Sequence, residues 1–233
     1  QRKMGLTSSD RESTQKVLKP ATLAQPIEMI RDCPEHGYFR GENCPVCNEK
    51  GKFLMNDGEM DSLGRTLAGI LRHFPERFDL DMDEQGFVNA EDIVYVLKKR
   101  QRRFHWLQEK HIIALLETDE KGRYQHDEGY VRATYGHSID LDIDDLPTEN
   151  IPEKLYYPAS LEESEIVLET GLHPADKNMV HLSLNVDRAL EAGRVRIDDP
   201  AILEVDTVAA INDGLLIMQA GNTVFVTKEI PAK

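Results

Sequence analysis

The 233-residue chain carries 28 Lys+Arg against 42 Asp+Glu, a formal charge of −14, and is 40% hydrophobic. That apolar share excludes a disordered chain, and the lack of any run of 18 uncharged apolar residues excludes a transmembrane helix. The three cysteines, Cys33, Cys44 and Cys47, fall within 15 residues; they make a disulfide framework unexpected and point to a reducing, cytoplasmic setting.

The charge is uneven. Residues 1–60 hold nine basic and nine acidic groups, 61–139 twelve and fourteen, and 140–233 seven and nineteen. The acidity sits in the last third, so basic runs earlier in the chain remain able to steer a polyanion.

Residues 1–30 are polar and without sustained periodicity, the pattern of a flexible tail; they show no apolar core of a secretory signal. Residues 31–58 form a zinc-binding segment by pattern. Cys33-x-x-His36 and Cys44-x-x-Cys47 each have the spacing of a knuckle turn. Three thiolates and one imidazole close a tetrahedral shell, which suits structure or recognition rather than catalysis. A segment this short buries too little apolar surface to fold alone, so metal would supply its folding energy.

Residues 59–139 read as three helices and a hairpin. Leu63, Leu67, Ile70 and Leu71 space an amphipathic helix over 61–74, with Asp61 or Ser62 as its cap and Pro75 beyond its end. The strand Gly86-Phe87-Val88 leads to Asn89, which caps a helix turning Ile93, Val94, Val96 and Leu97 inward. A third helix is predicted from Trp106 to Leu116, then two strands around Asp127-Glu128-Gly129. Three helices and a terminal hairpin make a winged-helix pattern, which by itself does not prove nucleic-acid binding.

Residues 140–153 carry six acids and two prolines, the mark of an acidic linker or an edge crossing between lobes. From 154 to 233 short strands and helices alternate: a strand at LYYPAS, a helix stopped by Gly171, a strand at MVHLSLN, a helix at VDRALEAG, and strands at AILEVD, GLLIMQ and TVFVTKEI. The fold class is therefore α+β, with a zinc knuckle segment, a winged-helix lobe and a second α+β lobe.

Taken singly, the polar constellations have bland readings. Arg72-His73 at a helix end suits a surface arginine and a dipole-favoured histidine. Gly136 in RATYGHS permits a tight turn or a close backbone approach to a ligand. The run Lys98-Lys99-Arg100-Gln101-Arg102-Arg103 is a solvated helix end, or with Phe104 and Trp106 an RNA contact.

Taken in order, SLGRTLAGILRHFPERFDLDMDEQGFV, RATYGHS, LYYPAS, VHLS and NTVFVTKEIP resemble the RNA 2′-phosphotransferase family over roughly 61–233, and the zinc segment is similar to N-terminal additions on archaeal members. The resemblance implies a winged-helix lobe beside an NAD-binding, ADP-ribosyltransferase-like lobe. It implies removal of an internal 2′-phosphate from RNA, such as spliced tRNA, by transfer to NAD⁺. The products would be 2′-OH RNA, nicotinamide and ADP-ribose cyclic phosphate. It assigns Arg72, His73 and Arg132 to the phosphate. It puts His137 and Ser138 by the NAD⁺ pocket, and Tyr157, Ser160, His181 and Ser183 at the cleft. The family's Leu-Tyr-His-Gly-Thr is LYYPAS here, so Tyr157 and Pro158 replace a His and a Gly. Its fourth arginine falls on Val195, flanked by Arg194 and Arg196; Arg196 matches after a one-residue shift. Expected partners are NAD⁺, one structural zinc and a tRNA-like RNA, with no membrane and a monomeric chain. Two other activities share this pattern: ADP-ribosyl transfer to nucleic-acid phosphate ends, and non-catalytic nucleic-acid binding.

Overall fold

The computed structural model describes residues 29–175 and 177–232. The tail expected over 1–30 lies outside these residues except for Met29 and Ile30, which already belong to a strand.

Strands β1 (Met29–Cys33), β2 (Gly37–Arg40) and β3 (Lys52–Asn56) form an antiparallel sheet in the order β2-β1-β3. The sheet is not free-standing. Ile30, Leu54 and Met55 are buried in the same core as Leu63, Leu67 and Leu97 on the helices that follow. The expectation of a segment folded by metal alone is corrected accordingly: apolar burial against its neighbour holds it as well.

Helix α1 runs Asp57–Arg72, four residues earlier than predicted. Asn56 is its cap: the side-chain oxygen accepts from the Glu59 amide at 3.0 Å, and the Glu59 carboxylate accepts from the Asn56 amide at 2.9 Å. This capping box hides in Asn-Asp-Gly-Glu, whose first three residues resemble a hairpin turn. Helix α2 (Ala90–Arg100) starts after Asn89 as predicted. Helix α3 spans Glu109–Glu117, later than Trp106, because a 3-10 turn at Arg102–Phe104 intervenes.

Strands β4 (Val88–Asn89), β5 (Tyr124–Asp127) and β6 (Tyr130–Ala133) complete this lobe in the order β4-β6-β5. The β5–β6 turn holds Glu128 at φ 45° and Gly129 at φ 85°, the two positive values a two-residue hairpin needs. The acidic stretch that follows is a packed crossing. Ile143 and Leu146 are buried with Met218, Ala220 and Val226 of the second lobe, and Tyr135, two residues past β6, packs against the same cluster.

The second lobe is a five-stranded antiparallel sheet, β10-β11-β8-β7-β9. Its strands are β7 (Lys154–Ala159), β8 (Val180–Ser183), β9 (Ala201–Asp206), β10 (Met218–Gln219) and β11 (Val224–Thr227). Helices α4 (Leu161–Thr170), α5 (Val186–Gly193) and α6 (Thr207–Asn212) connect them. The sequence reading missed α6, a six-residue helix capped by Asp206. One irregularity positions the site. Strand β7 pairs with β9 along all six residues but with β8 only at Tyr156↔Ser183. Pro158, which has no amide hydrogen to donate, lies past that single pair, where β7 and β8 have parted.

Candidate active site and metal centre

The four knuckle residues converge. The ligand atoms of Cys33, His36, Cys44 and Cys47 all lie within 4.8 Å of one another. Cys33 Sγ is 3.4 Å from His36 Nδ1 and 3.7 Å from Cys47 Sγ, and Cys44 Sγ is 3.7 Å from His36 Nδ1. A tetrahedron with Zn–S near 2.3 Å has edges of about 3.8 Å, so this donor set fits zinc. Each knuckle ends on a residue in the left-handed region straight after its second ligand: Gly37 at φ 76° and Asn48 at φ 61°. Hydrogen bonds from the backbone of Cys47, then of Val46, hold the Cys44 thiol down at about 7, towards the thiolate a metal takes.

The last residue of α1, Arg72, points into the β5–β6 hairpin. Its guanidinium lies 5.7 Å from the Tyr124 ring centroid and 5.0 Å from that of Tyr135. Nε and Nη2 are buried without a hydrogen-bond partner among the described residues. A buried cationic donor left unpaired costs free energy, so it marks a place where an anion belongs. Gly136, at φ 85°, brings its backbone against this group; a Cβ there would sit 3.5 Å from Arg72 Cζ.

Four more side chains gather here. His73 Nδ1 is 2.8 Å from Ser138 Oγ, and the Ser138 amide donates to the Arg72 carbonyl at 3.0 Å. Partial burial, then the Lys177 and Arg72 charges, lowers the His73 pKa. His137 is buried, and its Nε2 has no partner among the described residues. Burial first, then the Arg72 charge, brings its pKa down to about 4. His181 Nε2 accepts from the Gly136 amide at 3.1 Å. A cavity of about 20 Å³ beside Gly136, His137 and His181 has room for one water.

Arg132 lies apart from this group of side chains, on the other face of the hairpin. Alternation along β6 sends it to the opposite face of the hairpin: its neighbour Ala133 pairs with Tyr124, whereas Arg132 pairs with Gln125. Only 2% of its side chain is exposed. Its guanidinium donates to Gln125 Oε1 at 2.6 and 2.8 Å, to Asp145 at 2.8 Å and to the Gln85 carbonyl at 3.2 Å, and it stacks on Phe87.

The parting of β7 and β8 opens a cleft of about 560 Å³, within the usual range for small-molecule sites. Tyr157, Pro158, His181, Ser183 and Arg196 line it, as do Val195 and Tyr135. Tyr135 thus has one face on Arg72 and borders the cleft as well. Lysines 121 and 177 and Arg188 add positive charge to the walls, against Glu120 and Glu191, the latter paired with Arg188 at 2.7 Å and with Lys121 at 3.9 Å. The Arg196 Nη2 lies 3.3 Å from the Pro158 carbonyl and 3.4 Å from the Tyr157 hydroxyl, which in turn donates to Glu163 at 2.8 Å. Arg194, the other candidate, is the C-cap of α5.

Ser160 opens α4. Its Oγ accepts from the Glu163 amide at 3.0 Å as the N-cap of α4. Sequence reasoning missed Tyr124, Tyr135, Lys177 and Arg188. Tyr135 stood in the RATYGHS motif, but only the third dimension shows that it stacks on Arg72, far back along the chain.

These features match a known class. The sequence model of the RNA 2′-phosphotransferase, Tpt1 / KptA family, covers residues 58–229, and the chain belongs to that family. A protein of Thermoplasma acidophilum named "Probable RNA 2'-phosphotransferase" is 45% identical, over 87% of this chain and 85% of its own. "Probable RNA 2'-phosphotransferase 1" of Archaeoglobus fulgidus is 42% identical over 89% and 94%. A third archaeal relative so named, from Methanosarcina barkeri, is 39% identical over 87% and 96%.

Proposed function

We propose that this chain removes an internal 2′-phosphate from RNA, tRNA-like in the first instance, by passing it to NAD⁺. The observation that carries the reading is Arg72: a half-buried side chain with two buried, unpaired guanidinium nitrogens, next to His73, on the wall it shares through Tyr135 with a cationic cleft. The lobe of α1–α3 and β4–β6 is read as a winged helix that presents RNA. The β7–β11 lobe is read as ADP-ribosyltransferase-like.

The cleft suits a dinucleotide in size and lining. Tyr135, Tyr157 and Leu182 offer apolar surface, and Lys121, Lys177, Arg188 and Arg196 offer charge for a pyrophosphate. Bound NAD⁺ would supply the electrophilic sugar carbon that accepts the phosphate, with nicotinamide as leaving group. Arg72 then gives the 2′-phosphate the charged donors its burial leaves unused, in a site shielded enough for them to count. His73, uncharged at neutral pH, can donate to or accept from a phosphate oxygen while Ser138 fixes its ring. His137 and His181 shape the floor beneath Gly136, and Ser183 lies in the cleft. Arg132 acts as a positioning residue, holding the hairpin to the acidic crossing. Reduced thiols in the knuckle suit a cytoplasmic, zinc-bound protein, and we take it to act as a monomer.

The test is direct. Purified protein, a 2′-phosphorylated oligonucleotide and NAD⁺ should release one nicotinamide per phosphate lost, with 2′-OH RNA and ADP-ribose cyclic phosphate as products. Nicotinamide release with a stable ADP-ribosylated RNA would instead identify a transferase that stops early. No release with RNA still bound would identify a binding protein.

A further inference from the structure

The basic run at the end of α2 plays no part in the site just described. Lys98, Lys99, Arg100, Arg102 and Arg103 crowd six positions without one acid, in a chain of net charge −14. All five are exposed. Of these five, only Arg100 is ion-paired among the described residues, to Asp79. That pair matters because it fixes the arginine in place, and the same guanidinium donates to the Arg77 carbonyl.

From there a chain of stacked rings and cations leads back to the candidate active site. Arg100 lies 5.8 Å from the Phe78 ring centroid. Arg77 lies 4.3 Å from that of Phe74. The Phe74 ring is 5.4 Å from the ring of His73. On the far side, Lys98 and Lys99 line an open groove with Tyr95, which is 63% exposed and carries Lys99 over its ring at 5.5 Å; Glu91 and Glu109 border the same groove.

We infer that this ridge, from His73 through Arg77 and Arg100 to the groove at Tyr95, binds the RNA strand that flanks the 2′-phosphorylated nucleotide. The occupant follows from the chemistry. Flat guanidinium and ring faces accept unstacked bases, and interleaved cations track a phosphate backbone. A protein this acidic repels RNA at long range, so a concentrated basic strip contiguous with the site is what would bring the strand in. The inference rests on the reading that Arg72 and His73 receive the 2′-phosphate.

The experiment uses the full chain and the variant Lys98→Ala/Lys99→Ala/Arg102→Ala/Arg103→Ala, whose four side chains are exposed. Binding of a labelled 20-nucleotide single-stranded RNA is followed by fluorescence anisotropy across salt concentrations. The variant should bind at least tenfold more weakly at low salt. Its log–log salt slope should be shallower by about 2–3, given roughly 0.7 per lost phosphate contact on a single strand. In turnover with NAD⁺, KM for a 20-nucleotide 2′-phosphorylated RNA should rise about tenfold, while a trinucleotide with the same 2′-phosphate is processed as by the wild type. Unchanged binding of the long RNA overturns the inference. So does an equal loss on both lengths, or a loss confined to binding of vesicles containing phosphatidylserine. If the wild type releases no nicotinamide, the catalytic reading fails, and the anisotropy arm still decides the ridge; Arg77→Ala should weaken that binding in the same direction.

Discussion

Two faces of one hairpin cover the guanidinium nitrogens of two arginines and treat them oppositely. On the Gln125 face, Arg132 has hydrogen bonds to a side-chain amide, a carboxylate and a carbonyl. On the Tyr124 face, Arg72 is stacked between two tyrosines and keeps two nitrogens unpaired. Burial alone therefore says nothing about function. A satisfied buried cation is part of the fold, and an unsatisfied one is stabilised only when something arrives.

The largest test of that distinction lies in the knuckle, where the unsatisfied groups are thiols. Structural zinc contributes on the order of 10 kcal/mol to the folding of small domains. One zinc per chain is expected by elemental analysis after reducing, chelator-free purification. Cys44→Ser, or chelation, should melt β1–β3 and lower the melting temperature of the α1–α3 lobe too, because Ile30, Leu54 and Met55 share its core. A metal-free protein with an unaltered melt would sink the metal site.

Next comes Arg72→Ala. Removing a preorganised charged donor costs about 3–4 kcal/mol in the transition state, a few hundredfold in turnover. Stability should hold or rise, since a buried charge without a partner is removed. A loss below about tenfold would mean Arg72 is not the phosphate ligand.

Slightly smaller is a pH effect on the same face. His137 has a folded pKa of about 4 against 6.5 for the free side chain. Between these values the unfolded chain binds a proton that the folded one refuses, so stability is complete above about pH 6.5 and falls as pH drops towards 4. The lost amount is about 3 kcal/mol. His137→Gln should remove that component, seen in urea titrations at pH 7 and pH 4. Parallel wild-type and variant losses would show that His137 does not resist protonation.

Arg132→Ala inverts the Arg72 result. It strands Gln125 and Asp145, the latter 40% exposed, so a cost of about 2–3 kcal/mol is expected after allowing for solvent. Turnover of the folded protein should stay within about tenfold. A hundredfold loss without destabilisation would erase the contrast between the two faces.

Where the sequence was legible, local chemistry carried the message. Cysteine spacing marked the side chains that converge in the knuckle, Asn89 the start of α2, Asp-Glu-Gly the hairpin, and Gly171 the end of α4. The reading faltered where one residue type serves two ends. Asn-Asp-Gly concealed a helix cap, and Ser160, read at the cleft, also caps α4. Arg72 and Arg132 looked alike because the motif records order, whereas the period-two alternation of β6 decides the face. Tyr135, which links Arg72 to the cleft, depends on a contact no window of sequence contains.

The smallest expected effect belongs to Arg196, the arginine least buried of the three. Its side chain is 52% exposed, and it lies 3.9 Å from Glu163, so water and a neighbouring acid already weaken its field. Yet it borders the cleft and reaches the Tyr157 hydroxyl and the Pro158 carbonyl, two of the positions where this chain departs from the pattern it resembles. Val195, at the position the family pattern gives to arginine, is 88% exposed and carries no charge. An exposed cation beside a pyrophosphate is worth about 1 kcal/mol, so Arg196→Ala should raise KM for NAD⁺ about fivefold and leave kcat nearly unchanged. Arg194→Ala, at the helix end, should change neither. If both variants match the wild type, charge in the cleft comes from Lys121, Lys177 and Arg188 alone. If Arg196→Ala lowers kcat a hundredfold instead, a half-exposed arginine does the work of a buried one, and exposure is the wrong scale on which to rank the three.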